Sequence, residues 1–192
     1  MDYRNEVYRK LIHYALATIP ICYFFFFDRT TILWILGVMT GSIIIGEILR
    51  MRFVFFRRLY KLILGKVVRI KEDHTFTGAT FSLLGTFITI LIFEKYVAMF
   101  AVLVLALADS TAALVGRKLG RIPFLGKTVE GTGAFLLIAI LLAMFSPELP
   151  RTGALLGALI ATIVELLPSP MNDNIMIPLS AAITLSMVNL VT

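Results

Sequence analysis

The chain carries seven apolar runs, each near the length a helix needs to cross a bilayer, and no soluble core can bury that much hydrocarbon. A span takes roughly 17–25 predominantly apolar residues to bridge the ~30 Å hydrocarbon layer. The runs fall at 11–27, 30–49, 76–93, 96–116, 131–146, 151–167 and 174–192. Composition agrees: 59% of the 192 residues are apolar and 16% charged, against about 45–50% and a quarter in soluble domains. The reading is an all-α chain, a polytopic transmembrane helical bundle of about seven spans, forming a single integral membrane domain over residues 1–192. The first run has the basic flank of a signal peptide, but it ends at Phe27-Asp28-Arg29 without a small-residue cleavage pattern, so it is read as a span. The lone Cys22 forbids an internal disulfide and is read as packing.

Seven spans put the two ends of the chain on opposite sides, and the basic residues choose which side is which. With the N-terminus cytoplasmic, Arg4, Arg9 and Lys10, the eight cations from Arg50 to Lys71, and Arg117, Lys118, Arg121 and Lys127 are inside. That is 15 of the 18 basic residues; Arg29, Lys95 and Arg151 are outside. An excess of lysine and arginine in cytoplasmic segments is what sets orientation, so the expectation is a multi-pass integral membrane protein, in the cell membrane if the source is prokaryotic. A net charge of +6 would suggest nucleic acid in a soluble protein; here its placement serves topology, and no nucleic acid partner is expected.

Residues 50–72 are too charged to span and too apolar for an ordinary loop. Phe53, Phe56, Tyr60, Ile63, Val67 and Ile70 recur at steps of three and four, with Arg50, Arg57, Arg58 and Lys61 mostly on other faces. That pattern predicts an interfacial helix with its cations near anionic headgroups. Gly37-x-x-x-Gly41 and Gly153-x-x-x-Gly157 have the spacing of close helix crossings. Pro20 and Pro178 are expected to kink spans, which neighbouring helices accommodate.

Placed on this topology, the polar residues gather at the inner helix ends. Arg9, Lys10 and His13 end the first span, Glu47 the second, and Thr77 and Thr80 start the third; Glu165 ends the sixth and Asn172, Asp173 and Asn174 precede the seventh. Asp28, Glu94 and Glu148, on the other side, fall at loop positions. A transporter would be expected to carry polar groups at the midplane or on both sides. The asymmetry predicts a site open to the cytoplasm and to lipid of the inner leaflet.

Within that site the stretch 105–133 stands out. Asp109 lies seven residues before Gly116, about 10 Å along a helix, and a charge at that depth costs at least ~2.5–3.5 kcal/mol on insertion scales. Ala112, Ala113 and Gly116 share its helix face, leaving room for a ligand or metal, or for close packing that buries Asp109 against a basic residue. The loop Gly116–Thr128 invites a Walker A match, but five residues separate Gly120 from Gly126 where that motif has four, and no strand precedes it. What remains is general: glycines let backbone N–H groups approach phosphate, with Arg117, Lys118, Arg121 and Lys127 supplying charge. Asp109, Glu165 and Asp173 are expected to share a Mg²⁺ ion, which takes one or two carboxylates plus substrate phosphate oxygens. Asn172 and Asn174 are either site or turn residues. With two histidines in the chain, His13 does not point to zinc.

These residues together resemble the family of CTP-dependent lipid kinases that includes dolichol kinase, phytol kinase and the yeast-type diacylglycerol kinase. The matching elements run in order from end to end: Arg9-Lys-Leu-Ile-His13, Thr77-Gly-Ala-Thr-Phe81, Ala108-Asp109-Ser-Thr-Ala-Ala113 with Gly116-Arg117, Gly126-Lys127-Thr128-Val-Glu130-Gly131, and Glu165 with Asn172-Asp173-Asn174 and Pro178. The resemblance implies a multi-pass enzyme moving the γ-phosphate of CTP to the hydroxyl of a membrane lipid with a divalent metal. It puts Asp109, Lys127 and Glu130 at the nucleotide and metal site and Glu165, Asn172 and Asp173 in a second polar cluster. Residues and resemblance together give the expected site: catalytic Asp109, Lys127, Glu130 and Asp173, nucleotide contacts from Gly116, Arg117, Lys118, Arg121, Gly126, Lys127, Thr128 and Asn172, and metal ligation by Asp109, Glu165 and Asp173. Where the family's loop often has serines this chain has Thr128 and Thr132, which keep the hydroxyls. The expected acceptor is an isoprenoid alcohol (polyprenol or dolichol, phytol, geranylgeraniol) or diacylglycerol. The competing expectations are a phosphatidate cytidylyltransferase-like CDP-lipid synthase, whose long C-terminal signature is absent here, and a non-catalytic membrane carrier.

Overall fold

The computed structural model describes residues 3–64, 75–169 and 171–191. Apart from one two-stranded hairpin, its regular elements are helices. In chain order they are α1 (Tyr3–Ala15), α2 (Thr18–Phe25), α3 (Arg29–Arg52), α4 (Val54–Leu64), α5 (Gly78–Ile92), α6 (Lys95–Leu103), a wider π turn (Val104–Asp109), α7 (Ser110–Leu119), β1 (Pro123–Phe124), β2 (Lys127–Thr128), α8 (Val129–Met144), α9 (Arg151–Leu166) and α10 (Asp173–Val191). Among the described residues, three continuous rods are long and apolar enough to cross a membrane: Arg29–Arg52, Lys95–Leu119 and Asp173–Leu190. The 24 residues of the first reach about 36 Å. Helices α5 and α8 are apolar but shorter, and the first expected span is broken at Leu16–Ala17, just before Pro20, into α1 and α2.

Helix starts follow local chemistry. The Asp28 side chain caps α3 by accepting from the Thr30 amide at 3.2 Å, and Thr128 Oγ1 caps α8 by accepting from the Gly131 amide at 3.2 Å. Asn172 Oδ1 accepts from the Asn174 amide at 3.0 Å and so starts α10. Its side-chain oxygen is therefore spent on a turn, one of the two roles the sequence left open.

Small residues let the central helices approach. Ala101, Ala108, Ala112, Ala139, Ala154, Ala158, Ala161, Ala181 and Ala182 are buried in one core with Phe100, Leu105, Phe135, Ile177 and Leu185. A Cβ on Gly153 would meet Leu185 Cδ1 at 2.8 Å and one on Gly157 the Ala181 carbonyl at 3.1 Å, so this pair forms the expected close crossing, of α9 on α10. Gly37-x-x-x-Gly41 does not: a Cβ at Gly37 would touch only Phe87 at 3.8 Å, and at Gly41 nothing within 4 Å. Helix α3 is peripheral, showing Trp34, Val38, Ile45 and Ile48 outward.

The expected interfacial helix begins at Val54, and its part beyond Leu64 lies outside the described residues. Phe55, Phe56, Leu59, Leu62 and Ile63 form its exposed apolar face, with Arg58 exposed beside it. Arg50 is not one of its surface cations. It is 2% exposed, paired with Glu47 at 2.9 Å and bonded to the Thr75 carbonyl at 2.6 Å. Glu47, 1% exposed, also accepts from Thr77 Oγ1 at 2.5 Å, from the Thr77 amide at 3.1 Å and from Thr80 Oγ1 at 3.0 Å. Arg50 stacks 4.8 Å from the Tyr60 ring. This cluster ties α3, α4 and the start of α5 together.

Candidate active site

The starts of α5, α8 and α10 and the end of α9 meet at one end of the bundle, beside the N-terminal half of α1 and the length of α7. Helix N-termini carry about half a positive charge each, so this end is built to receive anions. A cavity of about 490 Å³ opens there, lined among others by Glu6, Arg9, Lys10, Asp109, Ala112, Ala113, Gly116, Arg117, Gly126, Lys127, Thr128, Thr132, Glu165 and Asp173. A second cavity of about 280 Å³, lined by Gly78, Met171, Asn172 and Asn174, shares Arg9, Lys10, Asp109 and Asp173 with it. Those four residues are the wall between two compartments.

Asp109 ends the π turn, a local widening often found at functional sites. Its Oδ2 lies 2.5 Å from Lys10 Nζ, with the two side chains 13% and 4% exposed. The small-residue face thus serves both readings of the sequence: it opens the cavity, and Asp109 is paired with a cation from the first helix. Removing one member of so buried a pair strands the other, at about 3–5 kcal/mol. Arg9 pairs with Glu6, and Arg117 reaches Glu6 at 3.5 Å. Tyr14 and Thr111 share a hydrogen bond of 2.8 Å that fixes α1 along α7.

Lys127 joins the other half of the site. Its Nζ is 2.8 Å from Glu165 Oε1 and 3.2 Å from Asp173 Oδ2, and it also donates to the Glu165 carbonyl. Burial opposes its charge most strongly, but the Glu165 and Asp173 carboxylates win and hold the ammonium above the usual lysine range. Four acidic side chains (Glu6, Asp109, Glu165, Asp173) face four basic ones (Arg9, Lys10, Arg117, Lys127) across the cavity. A site so balanced takes a polyanion best when a divalent cation accompanies it.

The loop before Lys127 is a tight antiparallel hairpin, with Pro123 opposite Thr128 and Phe124 opposite Lys127. Its two-residue turn has Leu125 at φ 47° and Gly126 at φ 82°, the paired left-handed geometry of a type I′ turn. Gly126 is required by that turn and also lines the cavity. Gly116 and Gly131 face each other where α7 crosses α8: a Cβ on Gly131 would meet the Ala112 carbonyl and Thr128 Oγ1 at 3.0 Å and Gly116 Cα at 3.2 Å. They set how close Asp109's helix comes to Lys127's loop.

Some expected site residues stand apart. Glu130 does not line either cavity; its carboxylate accepts from the amides of Arg121 at 3.0 Å and Ile122 at 3.3 Å, pinning the hairpin to α8. Its own amide first, then those of Arg121 and Ile122, hold it below the usual carboxylate range. Lys118 and Arg121 are exposed and line neither cavity. Conversely, Glu6 was not singled out in the sequence, and its one signal was the three-residue spacing to Arg9. Lys10 was placed at the inner end of the first span, but that it meets Asp109 depends on how α1 docks.

A divalent cation fits here. Glu165 Oε2 is buried and has no hydrogen-bond partner among the described residues, and an unpaired buried carboxylate oxygen is costly unless something fills the gap. Among the described residues no three His, Cys, Asp or Glu side chains come close enough to hold a metal by themselves. The shared arrangement of one or two carboxylates with nucleotide phosphate oxygens suits Mg²⁺.

Fold and site together define a helical membrane protein with a charged, phosphate-sized cavity at one end of its bundle. Over 120 residues, 62% of this chain and 41% of the other, it is 29% identical to CTP-dependent diacylglycerol kinase 1 of Saccharomyces cerevisiae. Over 76 residues, 40% of this chain and 35% of the other, it is 34% identical to the protein of the same name in Schizosaccharomyces pombe. An uncharacterised protein of Rickettsia prowazekii is 29% identical over 189 residues, 93% of this chain and 92% of that one. The resemblance to CTP-dependent lipid kinases is thus borne out by relatives that carry that name, and the chain spans about two fifths of their length. No family model and no solved structure matches the chain.

Proposed function

We propose that this protein is a CTP-dependent lipid kinase of the membrane, moving the γ-phosphate of CTP to the hydroxyl of an uncharged lipid. The observation that carries the reading is the single cavity in which Asp109, Lys127, Glu165 and Asp173 meet, in a chain similar to named CTP-dependent kinases. Phosphoryl transfer asks mainly for positioning and charge neutralisation. In this reading Lys127, Arg117 and Arg9 hold the triphosphate in the larger compartment, against the start of α8. The acceptor hydroxyl enters the smaller one, by Gly78 and Asn172, and the wall of Lys10, Asp109 and Asp173 is where the phosphoryl group changes hands. Asp109 or Asp173 takes the hydroxyl proton, and Lys10 orients Asp109. Glu165 and Asp173 would hold Mg²⁺, which would supply neutralising charge to the phosphates.

The multi-pass topology with a cytoplasmic N-terminus belongs to the same proposal: the basic bias supports it, and it opens the cavity toward cytoplasmic CTP. Diacylglycerol stands first among acceptors because the relatives' names carry it, ahead of geranylgeraniol, phytol and polyprenol. The test is purified protein in detergent with γ-labelled CTP or ATP and each lipid in turn. Label in a phosphorylated lipid with release of CDP is expected. No labelled lipid with any pairing refutes the kinase; a CMP-bearing lipid with released pyrophosphate replaces it with a cytidylyltransferase.

A further inference from the structure

Several hydroxyls of helical serines and threonines in this chain turn back on their own helix. Those of Ser82, Thr89, Thr111, Thr162 and Thr184 each donate to the carbonyl four residues earlier at 2.7–2.8 Å. Thr132, in the first turn of α8, does not: its Oγ1 is buried and has no hydrogen-bond partner among the described residues. Thr40, Thr86 and Ser110 also have unpartnered hydroxyls, but they line neither charged cavity, and Thr132 does. Its neighbour in sequence, Thr128, is committed to capping α8.

Glu165 Oε2, on a residue 5% exposed, is likewise on this cavity and without a hydrogen-bond partner among the described residues. Its twin Oε1 is held by Lys127 at 2.8 Å, so the carboxylate is clamped with one oxygen engaged and one left over. Helices α8 and α9 pack against each other, with Thr132 at the start of one and Glu165 at the end of the other. Arg9, on the α1 side of the cavity, has a buried Nε–H without a hydrogen-bond partner among the described residues. Spare acceptors on one wall call for a cation, and a spare donor on another calls for an anion.

We infer that Thr132 is a ligand of the divalent cation, its hydroxyl and Glu165 Oε2 together forming the seat for that ion on the α8–α9 wall. This rests on the kinase reading for the identity of the nucleotide, not for the ion site itself. Hydroxyl and carboxylate are hard oxygen donors of the kind Mg²⁺ takes, and together with the Asp173 carboxylate they leave positions for phosphate oxygens and water. The hydroxyl contributes no charge, so its loss should weaken the ion without disturbing the Lys127 ion pairs.

The test is Mn²⁺ binding to the purified full chain in lipid nanodiscs, read by electron paramagnetic resonance, with and without a non-hydrolysable CTP analogue. Wild type should bind saturably; Thr132→Val, which keeps the shape and loses the oxygen, should bind about tenfold or more weakly, and Thr132→Ser should bind as wild type. Wild-type affinity in a folded, monodisperse Thr132→Val overturns the inference, as does the absence of saturable binding to wild type in both conditions. Should Thr132→Val fail to fold, Thr132→Ala is read the same way against Thr132→Ser. Mn²⁺ held through Thr132 in a protein that phosphorylates no lipid would sink the kinase and leave the ion site. Phosphorylation with unchanged Mn²⁺ affinity in Thr132→Val would do the reverse.

Discussion

Two glycines, 131 and 133, lie two residues apart on α8, and alanine should affect them in opposite directions. At Gly133 a Cβ would meet nothing within 4 Å, so Gly133→Ala gains helix propensity, up to about 1 kcal/mol. At Gly131 the same Cβ would meet two backbone atoms and one hydroxyl at 3.0–3.2 Å. Overpacking of this kind costs about 1–3 kcal/mol, and subtracting the same propensity gain leaves a net loss of up to about 2 kcal/mol. The functional effect should be larger than the thermal one. Relief must come from α7 and α8 moving apart, which separates Asp109 from Lys127, and a misplacement of ~1 Å at a catalytic group costs on the order of a hundredfold; a few tenths of an ångström should therefore cost roughly tenfold. The assays are reversible unfolding in mixed micelles and lipid phosphorylation at saturating CTP. If Gly131→Ala proves as stable and active as Gly133→Ala, the glycine crossing does not set the distance between the two halves of the site.

Asp109→Ala and Asp173→Ala should each abolish transfer with the protein still inserted in the membrane, measured by labelled-lipid formation and membrane flotation; full activity in Asp173→Ala would dismantle the two-part site. Glu47→Ala should lower stability by about 3–5 kcal/mol by stranding buried Arg50, read by unfolding in mixed micelles, and Thr80→Val should cost much less. The pH dependence separates two charges. Lys127 is raised above the usual lysine value, so what it contributes is complete below that value and is lost only as pH climbs through the raised one. Its ion pairs should then hold in stability scans across pH 6–9. Glu130 is depressed, so its hold on the hairpin is complete above the usual carboxylate range and fades as pH falls through the depressed value; Glu130→Gln should remove that acid-side trend in hairpin hydrogen exchange.

The sequence by itself determined the solvent and the class of fold. Apolar runs of bilayer length decide where the backbone must satisfy itself, and helices are the economical answer. It also determined which residue types converge at one end, because Glu47, Asp109, Lys127, Glu165 and Asp173 all fall at that end of their runs. The caps at Asp28 and Thr128 are local chemistry too, though they emerged only with the structure. Only the tertiary structure decided who meets whom. That Lys10 reaches Asp109 across 99 positions of chain, that Glu130 serves the hairpin and not the cavity, and that Gly116 and Gly131 pack closely while a Cβ at Gly41 would meet nothing within 4 Å depend on the relative rotation and docking of helices. Periodicity fixes which residues share a face, and it is silent on which face meets which neighbour, since in a bilayer lipid and protein accept the same apolar side chains.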